Sequence, residues 1–153
     1  MDKHREYIKR LMLAVNNLDG IYYQGLKSVH INDKILILLY ALDDGKPRSQ
    51  KQICEEWLIP KTTLNTIIRK CKTEAYISLE PLAGRKREMN VRLTPKGKAY
   101  AEKALKSVYA AENEAIKNTL EQVSPEFIAS FELFNANLKS SFEKYRLLKG
   151  TTD

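Results

Sequence analysis

The chain sets long helical periodicities on either side of one short stretch of strand-like alternation. Between residues 2 and 24, Ile8, Leu11, Met12, Val15 and Leu18 recur at helical spacing and form one apolar stripe, and Gly20 and Gly25 mark a bend or an end. Asn32 or Asp33 can cap a second helix that carries Ile35, Leu36, Leu38, Leu39 and Leu42. That helix is apolar on most faces, which places it centrally in a core. The run Asp43-Asp44-Gly45-Lys46-Pro47 stops it. Ser49, with Gln52 three residues later, forms a capping box for a third helix expected to bury Ile53 and Trp57, with Cys54 as a further candidate. Leu58-Ile59-Pro60 then turns the chain into a fourth helix over 61–72. Its apolar positions Leu64, Ile67, Ile68 and Cys71 make one narrow face.

The period changes after residue 74. Tyr76, Ile77 and Leu79, then Met89, Val91 and Leu93, predict strands over 75–80 and 89–93. Between them lies Pro81-Leu82-Ala83-Gly84-Arg85-Lys86-Arg87-Glu88, in which proline and glycine supply the turn. Thr94 caps a long helix with Pro95 in its first turn, and Ala99, Ala101, Ala104, Leu105, Val108 and Tyr109 lead on to Ile116 and Leu120. Ser124-Pro125-Glu126 stops the chain and restarts it. The last helix carries Phe127, Ile128, Phe131, Phe134, Leu138, Phe142, Tyr145 and Leu148, and residues 150–153 form a frayed tail. The expected fold is mainly α with a small β-hairpin wing: a winged helix-turn-helix with further helices at both ends. A compact reading module does not bury the stripes on those end helices. Packing against a second copy would bury them and create a two-fold axis; folding back on the chain's own core is the alternative.

Length and composition narrow the class. The 153 residues suit one domain, or one compact unit with an extension, and a 43% hydrophobic fraction supports a core. No apolar run reaches the roughly 18 residues needed to span a bilayer, and MDKHREYIKR leads into no signal-type segment, so a soluble cytoplasmic protein is expected. Cys54 and Cys71 make neither a disulfide framework nor a metal cluster, and His4 and His30 stand in no ligand spacing, so no cofactor or metal is expected. Both thiols read as small buried hydrophobes; a redox sensor is the alternative, with nothing visible that would lower a thiol pKa.

The net charge of +7 is informative through its location. Residues 49–98 hold eleven Lys/Arg against five Asp/Glu, net +6, whereas residues 1–48 carry +2 and residues 99–153 carry −1. Positive charge concentrated in this way attracts phosphate. The outward face of the fourth helix shows Lys61, Thr62, Thr63, Asn65, Thr66, Arg69 and Lys70, short and polar at the start and basic at the end. Such a helix can enter the major groove of double-stranded DNA while Arg85, Lys86 and Arg87 reach the neighbouring backbone or minor groove. Thr62, Thr63, Asn65 and Thr66 are the candidates for base or groove contacts; Arg69, Lys70, Arg85 and Arg87 are those for phosphate or minor groove. The competing class is a winged helix that binds protein instead. An enzyme is not expected: there is no nucleophile–base spacing or phosphate loop, and Glu55 and Glu56, adjacent on a helix, face different directions.

The order of these elements resembles the MarR/SlyA-type winged-helix regulators over most of the chain. The resemblance rests on the short helix from Ser49-Gln50, the 61–72 helix, the basic hairpin, and the entry Leu93-Thr94-Pro95-Lys96-Gly97 to the long helix. It implies a homodimer, with residues 1–30 as the N-terminal helix of a dimerisation region, 31–98 as the DNA-binding domain and 99–153 as C-terminal dimerisation helices. It also implies a pseudo-palindromic operator and control by a small, often phenolic, effector, for which Tyr22, Tyr23 and Tyr40 are the amphipathic residues at hand. The wing departs from the family pattern. Arg85, Lys86 and Arg87 stand where an Asp-x-Arg is usual, leaving Glu88 or Glu80 as acids that could orient Arg87. Ile59-Pro60 likewise replaces a turn that usually contains glycine.

Overall fold

The computed structural model describes residues 2–82 and 85–148, without the side chains of Asp33 and of residues 82 and 85–87. Within these residues the order is α1 (Lys3–Ser28), α2 (Asp33–Ala41), β1 (Arg48–Ser49), α3 (Gln50–Trp57), α4 (Lys61–Thr73), β2 (Ile77–Leu82), β3 (Arg85–Leu93), α5 (Pro95–Leu120) and α6 (Glu126–Lys144). The fold is the expected one, mainly helical with a small antiparallel sheet in the strand order β1-β3-β2. The chain divides into two compact units, Met1–Tyr109 and Ala110–Asp153.

In the first unit α2 lies between two apolar clusters, as its all-round hydrophobicity requires. Leu38, Ala41 and Leu42 join Ile53, Ile59, Leu64, Ile67, Ile68, Cys71, Ile77 and Val91 in the core of the helix-turn-helix and sheet. Leu36 and Leu39 join Leu26, Ile31, Ala101 and Leu105, which tie α1 and α5 to the opposite side. Asn32 is the residue that caps α2, its side-chain oxygen accepting from the Lys34 N–H at 2.9 Å. The capping box also forms: Ser49 Oγ accepts from the Gln52 N–H at 3.1 Å, and Gln52 Oε1 accepts from the Ser49 N–H at 2.8 Å.

The helix α1 is longer than its sequence suggests. It runs unbroken through Gly20 and Gly25 to Ser28, because helical φ/ψ is open to glycine and nothing opposes it there. The strand β1 was not anticipated. It is two residues long, pairs Arg48 with Val91 and Ser49 with Asn90, and so is held by its partner rather than by its own pattern.

In the second unit α6 has no buried residue, and Phe127, Ile128, Phe131, Leu138 and Phe142 are all exposed. The stripe on α1 is likewise open at Ile8, Met12 and Leu18. Among the described residues no helix is long and apolar enough to cross a membrane. The tail at 150–153 lies outside the described residues.

Candidate nucleic-acid interface

The candidate interface lies on α4, and the turn before it sets how α4 leaves α3. Leu58 takes the left-handed conformation (φ 48°, ψ 39°) that ends α3, and its N–H donates to the Cys54 carbonyl. Ile59 follows it into the core, and Pro60 opens α4 with a fixed φ. A leucine thus does here what glycine does more readily, with its side chain 82% exposed. Leu64, Ile67, Ile68 and Cys71 are all buried, which fixes the rotation of α4 about its axis.

That rotation exposes the candidate residues unequally. Lys61, Thr62, Asn65, Thr66, Arg69 and Lys70 are exposed, while Thr63 is half-buried at the edge of the apolar face. Lys70 lies seven residues on from Thr63, at the same edge, and lines a cavity of about 330 Å³ with Glu74, Tyr76, Tyr100 and His30. The centre of the outward face is instead the series Thr62, Thr66, Arg69 and Thr73, with Asn65 and Lys72 towards its other edge. Sequence reasoning did not single out Lys72, although its position seven residues after Asn65 was the available signal. Thr66 Oγ1 donates to the Thr62 carbonyl at 3.1 Å, which leaves its oxygen lone pairs facing outward as acceptors. No side-chain hydrogen bond caps the start of α4. Among the described residues no ion pair engages Arg69, Lys70 or Lys72.

Other cations of the basic segment are engaged within the chain. Arg48 donates to both Asp44 oxygens, at 2.7 and 3.0 Å, and its Nε lies 3.7 Å from Glu56. That hydrogen bond, with another from the Lys46 N–H, holds the Asp44 carboxyl at about 2. Arg92 Nε lies 3.8 Å from Glu80. Glu80, one of the two acids expected beside Arg87, thus has a cation on its own sheet.

In the wing, Ile77 faces Leu93 and Leu79 faces Val91, and this apolar face meets the core. The register then jumps. Pro81 pairs with Met89 but Leu82 pairs with Arg85, so residues 86–88 have no counterparts on β2. A proline, lacking an N–H, stands where the ladder breaks. The structure puts the backbone of Arg85, Lys86 and Arg87 at this irregular end of β3, while their side chains and the Ala83-Gly84 turn lie outside the described residues.

Burial raises the thiol pKa of both Cys54 and Cys71, which favours the unreactive thiol. The three tyrosines considered for an effector do not line the cavity beside Lys70. Tyr40 stacks on Tyr109 at 5.8 Å and tilts against Trp57 at 6.4 Å, Tyr22 packs in the α1–α2–α5 cluster, and Tyr23 is exposed.

Comparison with known proteins agrees with this geometry. Residues 36–88, from α2 into the wing, match the model of the MarR family. No curated protein matches the chain in sequence. Among solved structures, a MarR family regulator from Neisseria meningitidis superposes with a TM-score of 0.75 at 21% identity, over 95% of this chain and 99% of that one. Overoxidized AbfR bound to DNA gives 0.66 at 17% identity, over 93% and 99%; AbfR is a Staphylococcus epidermidis protein. NadR in complex with 4-hydroxyphenylacetate gives 0.70 at 17% identity, over 90% and 95%. Residues 36–88 therefore match the MarR family model, within a chain whose fold resembles that of a MarR family regulator over 95% of its length.

Proposed function

We propose that this protein is a transcriptional regulator that binds double-stranded DNA as a homodimer. The observation that carries the reading is the outward face of α4: exposed short polar residues lead to Arg69 and Lys72, which are free of intramolecular ion pairs among the described residues. Thr62, Asn65 and Thr66 read base edges in the major groove, with Thr63 at the margin. Lys61, Arg69, Lys70 and Lys72 hold phosphates, and the uncapped first turn of α4 offers backbone N–H donors to another. Arg85, Lys86 and Arg87 extend the contact from the wing. The DNA-bound form of AbfR, which shares the fold, supports this reading.

The exposed stripes of α1 and α6 are the dimerisation surfaces, assigned to 1–30 and 99–153, and 31–98 is the reading domain. A small aromatic effector is the finer part of the reading. It is supported by NadR, which has this fold and was solved with 4-hydroxyphenylacetate. Substitution Arg69→Ala tests the core of the proposal. Affinity should fall by a similar factor on all duplexes, and the slope of log K against log salt should shrink by about one unit. An unchanged slope would remove Arg69 from the interface, and a protein-binding winged helix would show no salt-dependent DNA binding at all.

A further inference from the structure

Lys96 belongs by composition to the basic segment, and by count it is one more cation for phosphate. Its surroundings give it another task. The Nζ donates to the Glu74 carbonyl at 2.8 Å, at the C-terminal cap of α4, and lies 5.4 Å from the centre of the Tyr76 ring. A cation at a helix C-terminus satisfies an otherwise unpaired carbonyl and sits at the negative end of the helix dipole.

The neighbours of Lys96 bind the same three-residue stretch. Thr94 Oγ1 donates to the Ala75 carbonyl at 2.7 Å and accepts from the Gly97 N–H at 3.0 Å, and the Thr94 N–H donates to the Tyr76 carbonyl at 3.0 Å. Tyr100, one turn on from Lys96, stacks on Tyr76 with ring centroids 4.2 Å apart. A Cβ on Gly97 would stand 1.9 Å from the Tyr76 carbonyl oxygen, so only glycine lets α5 approach this closely. Ala75 holds a positive φ of 57°, a turn kept in place by these contacts.

We propose that Lys96, with Thr94 and Gly97, forms a clamp that locks the end of the reading helix and the root of the wing to the first turn of α5. Lys96 is then a positioning residue for DNA binding and makes no phosphate contact itself. The consequence for DNA rests on the function proposed above, whereas the clamp can be tested without DNA.

The experiment compares the full chain with Lys96→Met and Lys96→Arg. Lys96 is exposed, so both variants should fold. In free protein, amide exchange at Glu74, Ala75, Tyr76 and Thr94 should quicken in Lys96→Met and return towards the parent rate in Lys96→Arg, whose guanidinium can reach the same carbonyl and ring. DNA affinity should fall about tenfold in Lys96→Met with the salt slope unchanged, and recover in Lys96→Arg. Unchanged exchange would overturn the clamp. Altered exchange with unaltered affinity would overturn the positioning role, and a slope smaller by about one unit would make Lys96 a phosphate contact. If the parent chain bound no duplex, the DNA reading would fall and the positioning role with it, while the exchange rates would still decide the clamp.

Discussion

Single residues set the angles at both ends of the reading helix, and they do so in opposite ways. At the start, Leu58 tolerates a left-handed backbone that costs a leucine about 1–2 kcal/mol, and its exposed side chain gains little packing within the chain in return. At the end, Gly97 is required by a carbonyl that leaves no room for a Cβ. The first position can therefore be improved and the second cannot. Leu58→Gly should stabilise the fold by about 0.5–1 kcal/mol, the relief of strain less the added entropy of an unfolded glycine, and raise Tm by a few degrees. A lower Tm would show that the Leu58 side chain is buried against a partner.

At the scale of elements, legibility in the sequence followed the range of the interaction. Ser49 and Gln52 cap each other within one turn, and Leu64, Ile67, Ile68 and Cys71 declare a face by spacing alone, so α3 and α4 could be read directly. The strand β1 could not, because two residues carry no period and only β3 makes them a strand. Nor could the roles of Arg48, Arg92 and Lys96, since a cation in a basic segment looks the same whether it meets a phosphate or a carbonyl brought from 22 residues away. The candidate face was legible to within its margins: Thr62, Thr66 and Arg69 stand at its centre, Thr63 and Lys70 at one edge and Lys72 at the other, a distinction that needs the helix rotation.

The Asp44–Arg48 clasp, which holds the α2-to-β1 turn, predicts a pH dependence. Its carboxyl titrates at about 2 when folded against 3.8 for the ordinary group, so the folded state binds fewer protons between these values. The stabilisation is complete above about pH 4 and is lost as pH falls towards 2. Thermal melts of Asp44→Asn should lie below the parent at neutral pH and converge with it at about pH 2; a gap that persisted there would assign the effect to the Asp44–Lys46 turn rather than to charge.

At the scale of the molecule, the account turns on apolar stripes that the chain leaves open. No residue of α6 is buried, and α1 buries only Leu26, although both carry rows of large hydrophobic side chains. Exposed rows of this kind mark a protein surface that another covers, and in the proposed homodimer a second copy of the chain would cover like with like. Two reading helices related by a two-fold axis would then meet DNA at a fixed separation. Selection of bound fragments from random double-stranded DNA measures this most directly. The account predicts enrichment of an inverted repeat whose half-sites lie about one helical turn, roughly 10 base pairs, or a multiple of it apart. Failure to enrich any sequence, or enrichment of a single site without two-fold symmetry, would contradict it.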